Sequence, residues 1–489
     1  MKRLLQGICG CMAVCLLLGS LAACSEKEPV QTVDTSESNG SNTNSPTEDT
    51  RPDDLPDDLD FNDETITIAC RGGLRWEAEL IAAEDSQSTV DRSVYSRNQA
   101  VEQRLHVLLD VIPGDTSQDI FMQNVSIQIR SGIDEYDIIA GAQFLAVQGV
   151  LESLYLDLSG AEYLDFEKPY WNDSYMDTLS MKSGKRYCLA GDLALSMIGW
   201  TTCVYFNKPL YNNARGDGGA ADALYQTVLD GDWTFELFAE LVKSCATLDE
   251  SGENGIYGLY VDTNSTTDRI TLSAGMRFSE VTGTGEVRVT MYNDTMLAFV
   301  DAIKDLYFEN EGTNVYAADI QYEPFIGGES VFVVGTLNAA VYYFSSMEDD
   351  YGIIPFPKFE KEMEYSASVQ DNVALYMVPR TVAEDRREAV YATLECMASE
   401  SSTTVLPAFY ESALKGRYTK DPISAQMVDI IHDAACTDFV YVYSYSLSKL
   451  GTIMRAIMSD PASNFTSLYR ERYESASEML RQISAFYLK

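Results

Sequence analysis

The sequence predicts an α/β protein built from two lobes. Its 489 residues are too many for one small core, and the ordered part opens with alternating strand and helix patterns. A third observation is the stretch Gly184–Lys208, where two apolar runs, predicted as buried strands at 186–190 and 202–206, flank small residues with Asp192, Ser196 and Trp200. We interpret this stretch as a passage between the lobes that presents polar and aromatic side chains to a ligand. The alternative is a buried hairpin within one core.

The first residues have the pattern of an export signal. Lys2 and Arg3 precede an uncharged apolar run, which ends in LAAC at positions 21–24. This ending matches the lipobox of bacterial lipoproteins, in which a signal peptidase cuts before a lipidated cysteine. We therefore predict a signal peptide over residues 1–23, lipidation of Cys24, and a position outside the cytoplasmic membrane, anchored by lipid alone. A transmembrane anchor is the alternative, because the apolar run could just span a bilayer.

Composition limits the function classes. Residues 24–64, after the cleavage site, are acidic and poor in apolar side chains, which predicts a disordered tether. The formal net charge of −40 argues against nucleic acid and against adhesion to anionic lipid by charge. Two histidines and the lack of a CxxC spacing argue against a metal site, and no cofactor is expected.

The first lobe opens with a β-α-β-α-β pattern. Strands are predicted at residues 65–70, 107–112 and 136–140, with helices at 93–105 and 118–130. This alternation predicts a largely parallel sheet, whose ligands lie past the carboxyl ends of the strands. The side chains expected there are Arg71, Arg75 and Trp76 after the first strand, and Ala142 and Gln143 after the third.

The remaining chain continues the alternation and ends in helices. Thr234 is predicted to cap a helix that has one buried face. Strands or extended segments are predicted at 256–261, 329–334, 351–357 and 372–378. Helices are predicted at 293–307, 323–327, 338–344, 384–399, 447–458 and 465–486. Among six further cysteines, Cys188 and Cys203 could pair if their strands are neighbours, and free buried thiols are the alternative.

Six motifs occur in an order that is informative when they are taken together. They are LAAC at 21–24, YDII at 136–139, VYFNK at 204–208, WTFELF at 233–238, FIGGESVF at 325–332 and YGIIPFP at 351–357. In this order the chain resembles the extracellular solute-binding lipoproteins of ABC importers, the family that includes the maltodextrin-binding proteins. The resemblance covers about residues 65–489. It implies a two-lobe, periplasmic-binding-protein-like fold of type II with a ligand cleft between the lobes.

The resemblance also implies domain limits and partners. Lobe 1 would comprise residues 62–188 and 365–412, and lobe 2 residues 189–364 and 413–489. The implied partners are a small-molecule solute and the permease subunits of an ABC importer, and the protein is expected to be a monomer. Asn338 stands where maltodextrin-binding members have a stacking tryptophan, which argues against maltodextrin itself.

A sugar site needs flat aromatic faces and side chains that exchange hydrogen bonds with hydroxyl groups. The candidate ligand-binding residues are Trp200, Trp76, Arg75, Gln143, Asp192, Ser196, Asn338, Asp371 and Asn372. For each tryptophan the alternative is core packing. An anionic ligand would need clustered basic side chains, and Arg71 with Arg75 is the pair that could provide them.

The predicted function is capture of a carbohydrate or oligosaccharide for delivery to an ABC importer, without chemistry. The alternatives are a secreted carbohydrate-active enzyme and a ligand-binding lipoprotein that serves a membrane sensor. The sequence contains no GxSxG, HExxH or P-loop motif. Acidic residues are so numerous that nominating a catalytic carboxylate pair is uninformative.

Overall fold

The structure, a computed structural model, describes residues 52–251, 255–316, 322–345, 347–414 and 422–488. The predicted signal peptide, the lipidation site and the first part of the predicted tether lie outside these residues. The strands are Glu64–Cys70 (β1), Val107–Pro113 (β2), Ile138–Ala142 (β3), Thr202–Asn207 (β4), Thr247–Leu248 (β5), Gly255–Asp262 (β6), Ser279–Val281 (β7), Val287–Val289 (β8), Thr313–Tyr316 (β9), Ser330–Thr336 (β10), Tyr351–Pro355 (β11), Ala367–Ser368 (β12), Ala374–Met377 (β13) and Ala435–Cys436 (β14).

The helices follow in the same chain order. They are Leu74–Glu77 (α1), Thr89–Leu105 (α2), Gln118–Arg130 (α3), Gln143–Leu151 (α4), Asp173–Leu179 (α5), Leu195–Gly199 (α6), Lys208–Arg215 (α7), Ala220–Leu229 (α8), Phe235–Cys245 (α9), Ser265–Ser273 (α10), Asp294–Lys304 (α11), Glu323–Ile326 (α12), Asn338–Tyr342 (α13), Arg387–Thr403 (α14), Val405–Ala413 (α15), Pro422–Asp433 (α16), Phe439–Val442 (α17), Ile453–Ser459 (α18) and Phe465–Tyr487 (α19). A π-helical turn, Asp305–Glu309, extends α11, and Thr234 caps α9 as predicted, its side chain accepting from the amide of Leu237.

The first sheet has four strands in the order β13-β3-β1-β2. β1 runs parallel to both β2 and β3, so that Ile68 stands beside Val111 and Ile138, and only β13 is antiparallel. The predicted, largely parallel sheet is therefore confirmed. Its strands come from residues 64–142 and from β13, while the finer lobe boundaries remain a prediction.

The second sheet is mixed. Its strand order is β11-β4-β10-β6-β5, and β9 pairs with β6 off this path. β4 lies antiparallel to both of its neighbours, whereas β10 and β9 run parallel to β6. Every residue of β4, β10 and β11 is buried, which agrees with their apolar, β-branched and aromatic sequences.

The stretch Gly184–Lys208 connects the two sheets. At its start, Leu189 forms a single β-bridge with Tyr376 of β13 in the first sheet. At its end the chain becomes β4 of the second sheet, and Thr201 forms a bridge with Val369, which precedes β13. Two segments therefore cross between the sheets side by side. The first apolar run is not a strand as predicted, because it has this bridge and no continuous ladder.

The prediction that disorder continues to residue 64 is wrong for its last part. Leu55 is buried, and the Asp53 carboxylate, also buried, accepts from the Arg104 guanidinium at 2.6 Å. The amide of Phe61 donates to the carbonyl of Leu105 at 3.0 Å. Composition suggested a tether because acidic residues dominate here, but one leucine and one paired aspartate suffice to attach this segment to α2.

The six cysteines after Cys24 are all free thiols. Cys188 lies beside the first sheet and Cys203 within the second, so the two do not pair. Among the described residues, no helix combines the length and apolar content needed to cross a bilayer.

Candidate ligand-binding cleft

The segment after β1 places Arg75 and Trp76 at the edge of the first sheet. Gly73, with a φ of 112°, makes the turn from the strand into α1, a backbone conformation that side-chain-bearing residues rarely adopt. Its amide donates to the Glu77 carboxylate at 2.7 Å, which fixes the short helix against the turn. Arg75 is exposed and Trp76 is half-buried.

Trp200 ends α6 at the crossing between the sheets. Its carbonyl accepts from the amide of Gln370 at 3.0 Å, which joins the two crossing segments. The side chain is 8% exposed, and its ring meets the ring of Trp76 edge to face, with centroids 5.7 Å apart. The two tryptophans therefore form one aromatic pair. The buried indole N–H of Trp76 has no hydrogen-bond partner among the described residues.

The second sheet supplies the opposite wall. β10 is followed by Asn338 at the start of α13, and the Thr336 hydroxyl donates to the side-chain Oδ1 of Asn338 at 2.6 Å. Just beyond α13, Tyr343 accepts a hydrogen bond from the Arg75 guanidinium, which also lies 5.0 Å from its ring. This contact joins the segment after β1 to the second-sheet side of the molecule.

A small cavity lies between these walls. Its volume is about 10 Å³, which is about the space of one water molecule. Its lining comprises Arg75, Glu79, Leu195, Ser196, Gly199, Trp200, Asn338, Tyr342 and Phe409. A larger, open depression between α9 and α11 contains none of the predicted candidates. We refer to the cavity residues, together with Arg71, Trp76 and Tyr343, as the aromatic site.

Glu79 is a carboxyl at the floor of the aromatic site. It accepts from the amide of Ser196 at 2.9 Å, and the Ser196 hydroxyl in turn accepts from the amide of Ala374 at 3.0 Å. Burial raises the pKa of Glu79, against the opposing effect of Ser196 and Arg97. Ser196 thus links the cavity floor to β13 and fixes the position of α6.

A second set of contacts joins the two sides of the molecule. Arg455 on α18 donates to Asp268 on α10, and its Nη2 donates to Asp371 at 2.8 Å. Asp371 lies just before β13 of the first sheet, and the Asn372 amide donates to its other oxygen at 3.2 Å. Burial raises the pKa of Asp268 to about 7, although Arg455 acts in the opposite direction. We call Asp268, Arg455 and Asp371 the ionic bridge.

The structure brings the sequence-predicted residues together only in part. Trp76, Arg75, Ser196, Trp200 and Asn338 share the aromatic site, and Asp371 with Asn372 belongs to the ionic bridge or adjoins it. The other two candidates lie outside both groups, in the two contact sets described next.

Gln143 and Asp192 have protein partners of their own. The Gln143 side chain is fully buried, donates to the carbonyl of Gln370 at 3.0 Å and accepts from the Tyr175 hydroxyl at 2.7 Å. Asp192 lies 3.1 Å from Nε2 of His432. Burial acts to lower the pKa of His432, but the carboxylates of Asp192 and Asp433 together outweigh it and the pKa is raised. In this conformation both candidates hold the protein together and do not line the cavity.

Sequence reasoning missed three residues that matter here. Glu79 lies three positions after Trp76, so helical spacing could have indicated a shared face. Arg455 is the one basic residue within the apolar run of α18, which is an unusual position for an unpaired charge. Asp268 had no such signal. Among the described residues, no group of three metal-ligating side chains is found.

Comparison with known proteins is informative at the level of structure. No protein-family model matches the chain. No curated protein matches it either. A galacto-N-biose/lacto-N-biose I-binding protein of an ABC transporter from Bifidobacterium longum, in complex with lacto-N-biose, matches with a TM-score of 0.58 at 12% identity. The match covers 86% of this chain and 98% of that one. The fold is that of the two-lobe solute-binding proteins.

Two further solved structures extend this likeness. An ABC substrate-binding protein from Listeria monocytogenes, in complex with cycloalternan, matches with a TM-score of 0.56 at 9% identity and covers 87% of this chain and 100% of that one. UgpB from Mycobacterium tuberculosis, in complex with glycerophosphocholine, matches with a TM-score of 0.54 at 14% identity, covering 80% and 94%. The predicted two-lobe fold of the periplasmic-binding-protein type is confirmed.

Proposed function

We propose that this protein captures a carbohydrate or oligosaccharide in the cleft between its lobes and delivers it to an ABC importer. The observation that carries the proposal is that Arg75, Trp200 and Asn338 line one cavity. These residues come from the first sheet, from the crossing and from the second sheet. A ligand that touches all three favours the closed arrangement of the lobes.

The chemistry of the aromatic site suits a sugar. Indole rings offer flat apolar surfaces, while Ser196, Asn338 and Arg75 offer hydrogen-bond donors and acceptors around them. The cavity holds about one water molecule in this conformation, so a sugar would enter through an opening of the lobes. The neighbouring structures described above are binding proteins, and we propose the same role here rather than catalysis.

The location also belongs to the proposal. The lipobox pattern at residues 21–24 supports export and anchoring of the chain through lipid on Cys24. An acidic segment then connects the anchor to the folded lobes. We propose that the protein works as a monomer on the outer side of the cytoplasmic membrane and contacts the permease subunits when it is closed.

A thermal-shift screen of the chain from Ser25 to Lys489 tests the function. A solute that binds only the folded protein raises its stability by about 2.7 kcal/mol at a hundredfold excess over Kd. We expect a shift with one class of saccharide that is lost in Trp200→Ala and kept in Tyr292→Ala, an exposed aromatic residue outside the cleft. The lack of a thermal shift with saccharides, peptides and polyamines alike would contradict the proposal. Turnover of any oligosaccharide, detected by chromatography, would contradict it as well.

A further inference from the structure

Two arginines at the cleft have aromatic rather than acidic partners. The chain has 75 acidic residues and 35 basic ones, so carboxylates are abundant around most guanidinium groups. In the described part of the chain, neither Arg71 nor Arg75 has a carboxylate within ion-pair distance. Both belong to the segment after β1 that forms one wall of the aromatic site.

Each guanidinium is held by one ring and one hydrogen bond. The Cζ of Arg71 lies 3.6 Å from the centroid of the Trp76 ring, and its Nε donates to the carbonyl of Thr116 at 2.7 Å. Arg75 donates to the Tyr343 hydroxyl and lies over that ring. Neither Nη atom of Arg71 has a hydrogen-bond partner within the described ranges. Both guanidinium groups are thus held in position before a ligand binds, and each still has N–H donors available to it.

The nearest carboxyl groups have other roles. Glu77 accepts from the amide of Gly73, and Glu79 accepts from the amide of Ser196. Burial raises the pKa of Glu79, which favours its neutral form. Asp119 attracts Arg71 through space without forming an ion pair with it. Among the described residues, neither arginine is thus tied up in an ion pair, and both remain available to an anionic ligand.

The stacking of Arg71 also restricts what Trp76 can bind. A guanidinium already covers one face of the indole, so a neutral sugar ring must displace it to stack there. An anionic group needs no such displacement, because it can bind the outer edge of the guanidinium with two parallel hydrogen bonds. The geometry thus favours a ligand that carries negative charge.

We propose that the solute is a saccharide bearing an oxyanion, a carboxylate or a phosphate, which Arg71 and Arg75 hold beside Trp76. This inference rests on the function proposed above and specifies its substrate class. The overall charge of −40 opposes anions at long range, but salt screens that repulsion beyond about 10 Å. Contacts within the cleft therefore decide the binding.

Matched pairs of probes test the proposal by isothermal titration calorimetry on the chain from Ser25 to Lys489. One pair is digalacturonate against neutral galactobiose, and the other is glucose 6-phosphate against glucose. Inorganic phosphate and acetate test whether a free oxyanion is sufficient. We expect an acidic saccharide to bind at least about tenfold more tightly than its neutral counterpart, because charge-assisted hydrogen bonds are lost in the latter.

Variants then assign the binding to these arginines. Arg71→Gln and Arg75→Gln should each weaken the acidic saccharide about tenfold, and Arg71→Lys should restore only part of the loss because lysine lacks the planar fork. Arg380→Gln is the matched control, since Arg380 is an exposed arginine beyond the other end of β13. The melting temperature of each variant without ligand verifies that it is folded.

The possible outcomes separate this inference from the proposed function. If a neutral saccharide binds as tightly as its acidic counterpart and tolerates both glutamine variants, the inference is wrong and the proposed function stands. If inorganic phosphate or acetate alone accounts for the affinity, the ligand is a free oxyanion and the saccharide class is wrong. If no saccharide binds to folded protein, both proposals fail together.

Discussion

The two sets of contacts that join the lobes differ in kind, since one is aromatic and the other is ionic. The aromatic site meets across the cleft through the rings of Trp76 and Trp200, and it leaves a small cavity and the unbonded indole N–H of Trp76. The ionic bridge instead holds Arg455 between two carboxylates, one on each side. The first set therefore leaves a cavity and aromatic surfaces for a ligand, whereas the second pairs its charges within the protein, although the buried Oδ1 of Asp268 has no hydrogen-bond partner among the described residues.

This difference indicates a division of roles within one cleft. Binding specificity should lie at the aromatic site, where donors and flat surfaces remain available. Contact between the lobes without ligand should depend on the ionic bridge, whose charges are matched by the protein itself. Substitutions that affect one property and leave the other unchanged can test this separation.

Arg455→Ala should have the largest effect, on stability. It leaves Asp268 fully buried without its cationic partner, which costs about 3–5 kcal/mol for a buried ion pair. The loss should be greatest at about pH 8 and smaller at about pH 5, where Asp268 takes up a proton. Urea unfolding measures the difference. Arg481→Ala, which removes an exposed pair with Glu478, is the control and should change stability by less than about 1 kcal/mol.

The double variant Asp268→Asn with Arg455→Ala completes this test. It leaves no unpaired buried carboxylate, so it should be more stable than Arg455→Ala alone at about pH 8. Equal losses in the two variants would show that Arg455 contributes by packing its alkyl chain and not by pairing with Asp268.

The pH dependence of stability should reveal Asp268 directly. Its pKa is raised from 3.8 to about 7 in the folded protein, so folding favours its protonated form. The stabilisation is complete below about pH 4 and is lost as the pH rises through about 7, by up to about 4 kcal/mol. The free energy of unfolding measured from pH 4 to pH 8 should fall less in Asp268→Asn than in the unaltered chain. Parallel curves for the two proteins would contradict the buried, protonated state.

Trp76→Ala should have the smallest effect of these variants, on ligand affinity. Tyr445→Ala is its control, and the pair tests whether ligand binding is confined to the aromatic site. Removing Trp76 should weaken the solute about tenfold, because its ring holds the Arg71 guanidinium in place and packs edge to face on Trp200. Tyr445 is an exposed aromatic residue that packs edge to face on Phe144, outside the aromatic site. Its loss should leave the affinity within about twofold. Calorimetry with the solute found in the screen measures both affinities. An equal loss of affinity in the two variants would mean that the ligand contacts the whole cleft and not the aromatic site alone.

Much of the fold followed from local patterns. The alternation of strands and helices up to residue 142 predicted the parallel first sheet because strands joined by helical crossovers pair in parallel. The cap at Thr234 followed from its hydroxyl and the apolar spacing after it. The strand predicted at 186–190 failed, since a short apolar run looks alike whether it joins a ladder or only touches one.

The candidate site, like the fold, was predictable only in part from the sequence. Arg75 and Trp76 were found because they follow a strand of a largely parallel sheet, whereas Asn338 was found only through the resemblance to solute-binding proteins. Gln143 also follows a strand, yet its side chain turns inward to Gln370 and Tyr175. Nothing in the local sequence distinguishes the two cases, because the partners are distant in the chain.

The sequence by itself determined the alternating α/β order, the acidic surface, the export pattern and the aromatic residues available to a ligand. These depend on side-chain type and on spacing within a few residues. The tertiary structure decided which of them meet: Trp76 with Trp200, Arg71 on an indole without a carboxylate, and Arg455 between Asp268 and Asp371. The pairs Trp76–Trp200 and Arg455–Asp268 join positions more than a hundred residues apart, and only tertiary packing brings them within contact distance.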